Sequence, residues 1–359
     1  MASSAQEQHQ ILPTLYGGAT SAPPPTPAAH HDNILSTSNA ADALSRLLQR
    51  LPPTLSLPTR FSSPSSAAAT CPPSLTSLND VLSCVSKLGY AQLTDHSVPH
   101  ELANSAESEA LALFDLSQPQ KESLIPKNWP FGYGGDEEEE DGLAESFRLD
   151  SVCSTKSNEL GLVSLREFAR ALEKLGLKIV DELAKGLGCE NPLGDDPTRS
   201  CSIMWVSESL SGNKSSGFYP FIIGLQYQIR NQKYSMLSDS GWVSVLPHVD
   251  SILVTIGDIA QVWSNGKLKK VRGRAVATVG ENSSRCITMS LLITLPTESR
   301  VAPLLPKTTK KEEGEEEISN VGEEGVEKVF NSFDFEDYAW RVYHERIHFK
   351  DPLDRYRVA

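Results

Sequence analysis

The chain has 359 residues, 33 of them basic and 46 acidic, which leaves a formal charge of 33 − 46 = −13. That length holds a large core or two modest domains, and the acidic balance excludes a general nucleic-acid binder. Six cysteines without paired spacing suit a reducing compartment, and no apolar run reaches the ~18 residues of a membrane span.

In chain order, residues 1–74 are a Ser/Pro/Ala-rich head of low complexity that cannot build a core and reads as mostly disordered. Ala43, Leu44, Leu47, Leu48 and Leu51 recur within it at helical spacing before Pro52-Pro53, as a docking helix would. The expected location is the cytoplasm, with the nucleus as an alternative. A plastid transit peptide is less favoured, because Arg46, Arg50 and Arg60 are the only basic residues before position 61.

Residues 75–190 read as a helical region. Leu78, Val81, Leu82, Val85 and Leu88 share one helical face, and Gly89 is a natural C-cap. A strand at Tyr90–Thr94, a turn at Ser97-Val98-Pro99 and a helix from Glu101 to Phe114 follow. The acidic run 136–141 lacks the spacing of a calcium loop and is expected to stay solvated. Ser164 and Glu167 form a capping-box pattern ahead of a long amphipathic helix carrying Leu165, Phe168, Leu172, Leu175, Ile179 and Leu183.

Residues 200–300 form the strand-rich core. Cys201–Val206, Gly224–Tyr227, Trp242–Val245, Ile252–Ile256, Ile259–Trp263 and Ile287–Leu295 are short β-type runs. Asn265-Gly266 lies between two of them, Gln261–Trp263 and Lys267–Val271, and predicts a hairpin turn with φ > 0 at both positions. The spacing predicts a mainly β fold with helices: a jelly-roll barrel with flanking helical additions. Residues 307–328 read as a flexible acidic insertion, and residues 329–359 as a C-terminal helical segment.

The core resembles the plant 2-oxoglutarate- and Fe(II)-dependent oxygenases, which are isopenicillin N synthase-like, and among them the gibberellin-oxidase-like (gibberellin 20-oxidase-like) members. The matching residues are Trp242, Val245 and Pro247, then Leu253-Val254, Ile256-Gly257-Asp258, Gln261 with Ser264-Asn265-Gly266, and Lys269 with Arg274. Gly89-Tyr90, Leu93, Asp95-His96, Val98-Pro99, Phe114, Leu116, Pro119 and Lys121 match the family's N-terminal segment, in which the equivalent of His96 is structural. The resemblance implies a double-stranded β-helix (cupin-like) barrel, bound Fe(II) and 2-oxoglutarate, and a small plant metabolite as substrate.

Non-haem iron of this kind is held by two His and one carboxylate. The resemblance places the distal His where this chain has Gly273. It implies the H-x-D roughly 16 positions ahead of a G-L-Q-V strand, matched here by Gly224-Leu225-Gln226-Tyr227, and no His lies between His100 and His248. His248-Val249-Asp250 has the H-x-D string but falls after the Trp242 strand, so it reads as a loop with a reduced metal site as the alternative. The keto-acid Tyr of the family is absent from Met204–Ser207. Arg285 stands where the resemblance places the carboxylate-anchoring Arg, with Thr288 as its neighbour; a surface Arg is the competing reading.

These readings predict a catalytically degenerate member of the family with a binding or scaffolding role, no confident catalytic residue, and a small organic acid or a protein as partner. The alternative is an active oxidoreductase hydroxylating a plant small molecule through an atypical iron site at His248 and Asp250. A third reading makes the acidic segments a protein-contact surface.

Overall fold

The structure is a computed structural model that describes residues 69–134, 145–156, 161–194, 196–209, 218–277, 286–304, 329–345 and 351–358. The helical pattern at 43–51, the acidic run 136–141, Arg285 and the insertion 307–328 lie outside the described residues.

Strand β1 (Ser74–Leu75) leads into α1 (Val81–Leu88), which Gly89 caps in the left-handed region at φ 81°. Next come β2 (Tyr90–Leu93), α2 (His100–Phe114), α3 (Gln118–Leu124), β3 (Gly132–Gly134) and β4 (Ser146–Leu149). The long helix α4 (Val163–Leu187) buries Leu165, Phe168, Leu172, Ile179 and Leu183, the stripe that its 3.6-residue periodicity predicts. Its N-terminus differs from the expected capping box. The cap position is Leu162, with no capping side chain of its own, and the Glu109 carboxylate of α2 accepts from Ser164 N (3.0 Å) and Leu165 N (2.9 Å). A carboxylate from a neighbouring helix meets the same orphan donors and the same positive dipole end.

The barrel strands are β5 (Cys201–Ser209), β6 (Ile223–Tyr227), β7 (Tyr234–Ser238), β8 (Gly241–Val245), β9 (Ile252–Ile256), β10 (Val271–Ala277) and β11 (Cys286–Thr294). A helix, α5 (Asp258–Trp263), stands where a strand and the Asn-Gly hairpin were expected. Asn265 (φ 51°) and Gly266 (φ 83°) do adopt the positive φ that their identity favours, but they end α5 rather than join two strands. The short pair β12 (Arg300–Val301) and β13 (Phe333–Asp334) precedes α6 (Phe335–Glu345).

The strands form an eight-stranded sheet of order β1-β2-β9-β6-β11-β5-β4-β3 and a three-stranded sheet of order β10-β7-β8. Because alternate residues face opposite sides, the register sorts the large sheet into two faces. One row, Leu149–Met204–Leu291–Leu225–Val254–Ala91, is wholly apolar. Helix α4 lies on this face, where a Cβ at Gly176 would meet Ile293 and Leu225. The opposite face points into the barrel. Tyr90 and Leu253 pack there against Tyr234, Met236, Val245 and Val271 of the smaller sheet.

Candidate functional site

The rest of the interior face is polar although it is buried. The row next to the apolar one reads Arg148–Trp205–Ser290–Gln226 across β4, β5, β11 and β6, and Ser146–Ser207–Thr288 lies beside it. All seven side chains are buried, and Arg148 is only 5% exposed. The Ser290 hydroxyl donates to Gln226 Oε1 (2.9 Å), but Gln226 Nε2, Thr288 Oγ1 and Arg148 Nε have no hydrogen-bond partner among the described residues.

Arg148 is the unusual member. Its guanidinium lies over the Trp205 ring at 5.6 Å and over the Tyr343 ring of α6 at 4.7 Å, and among the described residues no carboxylate pairs with it. Cation–π contacts contribute about 0.5–2 kcal/mol each, whereas burying an ion costs several kcal/mol even after relaxation. The two rings offset that cost only in part. Tyr219 is close enough for the Arg148 charge to act on its hydroxyl, yet burial, the larger effect, raises it well above the ordinary tyrosine range.

The position of the expected metal ligands needs one correction. Gly224-Leu225-Gln226-Tyr227 is not the strand that turns into the Trp242 strand. Its β6 pairs with β9 and β11, while β7 pairs with β8 through Ser238↔Gly241. Counting roughly 16 positions back from Tyr234 reaches Phe218-Tyr219-Pro220, which offer no imidazole or carboxylate.

Phe218 in turn meets the other expected ligand position. Gly273 sits at φ 67° on β10, and a Cβ built there would lie 2.1 Å from Phe218 Cδ1 and 2.7 Å from its Cε1. The ring therefore occupies the space that a side chain at 273 would enter. The remaining void, bounded by Phe218, Asp258, Arg272, Gly273, Val342 and Pro352, is about 10 Å³, at the lower limit for one water. Asp258 already pairs with the fully buried Lys270 ammonium (2.7 Å). These residues do not fit an Fe(II) centre, and among the described residues no three His, Cys, Asp or Glu side chains are grouped to hold a metal ion.

His248 and Asp250 lie on the connection between β8 and β9, both exposed, and their side chains join different neighbours. His248 Nε2 is 3.5 Å from Cys71 Sγ, and its backbone N–H donates to Gln92 Oε1 (2.8 Å). Asp250, at φ 62°, pairs its carboxylate with His100 at the start of α2 and accepts from Tyr227 Oη at 3.4 Å. Its carbonyl lies 2.7 Å from His96 Nε2, and the His96 ring packs edge-on against Tyr227, a structural contact. Burial and the Asp250 charge push the Tyr227 hydroxyl up to about 12. Asp250 thus ties α2 to the barrel edge, and although Cys71, His96 and His100 lie beside the pair, no three His, Cys, Asp or Glu side chains among the described residues are grouped to hold a metal ion.

Of the residues expected to hold 2-oxoglutarate, Arg285 lies outside the described residues. Thr288 is on the interior face, and the unbroken β11–β5 register from Cys286 to Thr294 leaves it opposite in facing to Ile287, with no bulge to change this. Arg148 was not foreseen. In the string Ser146-Phe147-Arg148-Leu149 it reads as the outward residue of a half-exposed strand, and only burial of the second face distinguishes it.

Two packed sheets with a helix-covered outer face and a polar interior define a double-stranded β-helix of the oxygenase type. Residues 208–293 match the 2OG-Fe(II) oxygenase superfamily. The chain carries a domain of that superfamily. A curated relative, gibberellin 2-beta-dioxygenase 1 of Pisum sativum, is 24% identical over 285 residues, covering 72% of this chain and 81% of that protein. JOX2, solved in complex with 2OG, Fe and JA, superposes with a TM-score of 0.62 at 18% identity, over 88% of this chain and 97% of that one. The dioxygenase for auxin oxidation in rice gives a TM-score of 0.56 at 18% identity, over 78% and 94%. At these identities the solved structures speak for the fold.

Proposed function

We infer that this chain is a superfamily member that has lost iron-dependent oxygenation and retains its barrel as a binding module for a small organic acid. The observation that carries this reading is the Phe218 ring packed against Gly273. A glycine has no ligating side chain, and an aromatic ring in that space excludes the ion and the water or keto acid that would complete its coordination. Fe(II) and 2-oxoglutarate are what the family implies, and an acid related to those its relatives act on, gibberellin among them, is consistent with the relatives' names. No helix among the described residues is long and apolar enough to cross a membrane.

The test is anaerobic titration of the full chain with Fe(II) and 2-oxoglutarate, following the visible metal-to-ligand charge-transfer band. The expected result is no band, and no rise in Tm with Fe(II), since an ion that binds the folded state must stabilise it. A band that disappears in His248→Ala would overturn the reading and restore an oxygenase with an atypical centre at His248 and Asp250.

A further inference from the structure

We propose that Arg148 is the anchor of a carboxylate-binding site inside the barrel, taking an organic acid whose chain carries a second oxygen for Gln226 and Thr288. This rests on the metal-free reading above, and it places the anchor on β4 rather than on β11, where Arg285 and Thr288 were expected.

Three observations converge. The Arg148 guanidinium is buried on the interior face with aromatic rings on it and no anion among the described residues. Buried polar groups normally find partners. Water can satisfy neutral ones, but a charge is matched by an opposite charge, and a guanidinium fork fits a carboxylate through two parallel hydrogen bonds. Gln226 Nε2 and Thr288 Oγ1 lie on the same face, also without partners among the described residues. Gln226 Oε1 is already engaged by Ser290, so its amide N–H groups can only donate to an acceptor on the ligand.

Strands β4, β5, β11 and β6 are hydrogen-bonded neighbours, so Arg148 and Gln226 are three strand spacings apart, roughly 14 Å between backbones. The Gln226 side chain leans along it toward Ser290, while the Arg148 guanidinium lies over Trp205 and beside Gly134. A chain of a few carbons between a carboxylate and a second oxygen spans the rest. A separate cavity of about 680 Å³ is lined by Asp150, Glu173 and Glu298 and would repel an anion.

The experiment is titration of EDTA-treated full-length protein with 2-oxoglutarate, glutarate and the uncharged glutaramide, followed by calorimetry, Trp fluorescence and Tm. Wild type should bind one or both acids and not glutaramide. R148M should lose about 10–100-fold in affinity, the range for a charge-assisted hydrogen bond, while its ligand-free Tm stays equal or rises, because an unmatched buried charge has been replaced by an apolar chain.

Wild type that binds neither acid, glutaramide that binds as well as glutarate, or R148M that binds like wild type overturns the site. If R148M does not fold, R148K, which keeps the charge but not the fork, should bind more weakly than wild type, and unchanged affinity there overturns the site as well. An iron band would sink the metal-free reading without affecting binding measured in EDTA. Acid binding that R148M leaves unchanged, with no band, would sink this site alone, whereas absent acid binding would sink the organic-acid reading of the barrel with it.

Discussion

At position 273 the hydrogen atom of glycine leaves room that the Phe218 ring fills. Gly273 combines a positive φ with a ring at its face, so any side chain there meets two penalties, backbone strain of about 1–3 kcal/mol and a clash with Phe218. Gly273→Ala should therefore lower stability by about 2 kcal/mol or more. Phe218→Ala removes the clash and leaves the strain. The double variant should recover part of the loss, with a coupling of about 0.5–3 kcal/mol as for residues in contact. Chemical denaturation of the four proteins measures it, and strict additivity would show that the ring does not fill the space at 273.

At the scale of single elements, the pairing of α2 with α4 shows how a local pattern can be satisfied by a distant residue. Ser164 and Glu167 have the capping-box spacing, yet the helix begins two residues earlier than that spacing implies and takes its cap from Glu109. Glu109→Gln keeps an acceptor but removes the charge that the helix dipole favours, and Glu109→Ala removes both. The expected losses are ~0.5 and ~1–2 kcal/mol. Hydrogen exchange should speed at Ser164 and Leu165 in the Ala variant; unchanged protection there would mean that Ser164 caps the helix after all. The Asn265-Gly266 turn makes the same point. Its dihedrals follow from residue type, but whether it joins strands or ends a helix depends on Gln261 and Val262 being drawn into the core.

For the whole molecule, the C-terminus is locked to the barrel by charge as well as by apolar contact. Lys270, fully buried, pairs with Asp258 and with Asp351 (2.6 Å), just ahead of Pro352 and Leu353, which bury against the body. Burial alone would raise the Asp351 pKa, but the Lys270 ammonium and its hydrogen bond outweigh it, so the carboxyl is held below its ordinary value. A depressed folded pKa contributes stability that is present above the unfolded value, near ~3.9, and is lost as pH falls through the folded value. Lys270→Ala strands the buried Asp258 carboxylate and the half-buried Asp351 one, and should cost about 3–5 kcal/mol at neutral pH. The Tm gap between variant and wild type should narrow below about pH 4, as the Asp351 carboxyl takes up its proton. A gap independent of pH would show that Lys270 acts by packing alone.

The strand-rich core, the amphipathic α4 stripe and the Gly89 cap were all legible along the chain. Each depends on residue type, on a period of two or 3.6, or on the order of motifs, and these are local properties. The Gly224–Tyr227 match misled because a short apolar string is compatible with two neighbouring strands, and hydrogen-bond register alone assigns it to β6. His248 and Asp250 form a ligand-like string, but the turn after β8 directs them to different partners on the barrel edge. Arg148 carried no local signal, since a strand with one polar face looks the same whether that face meets water or a second sheet. Only the tertiary packing, with Tyr343 of α6 laid over that face, removes the water, and that turns an ordinary arginine into a buried charge with no carboxylate partner among the described residues.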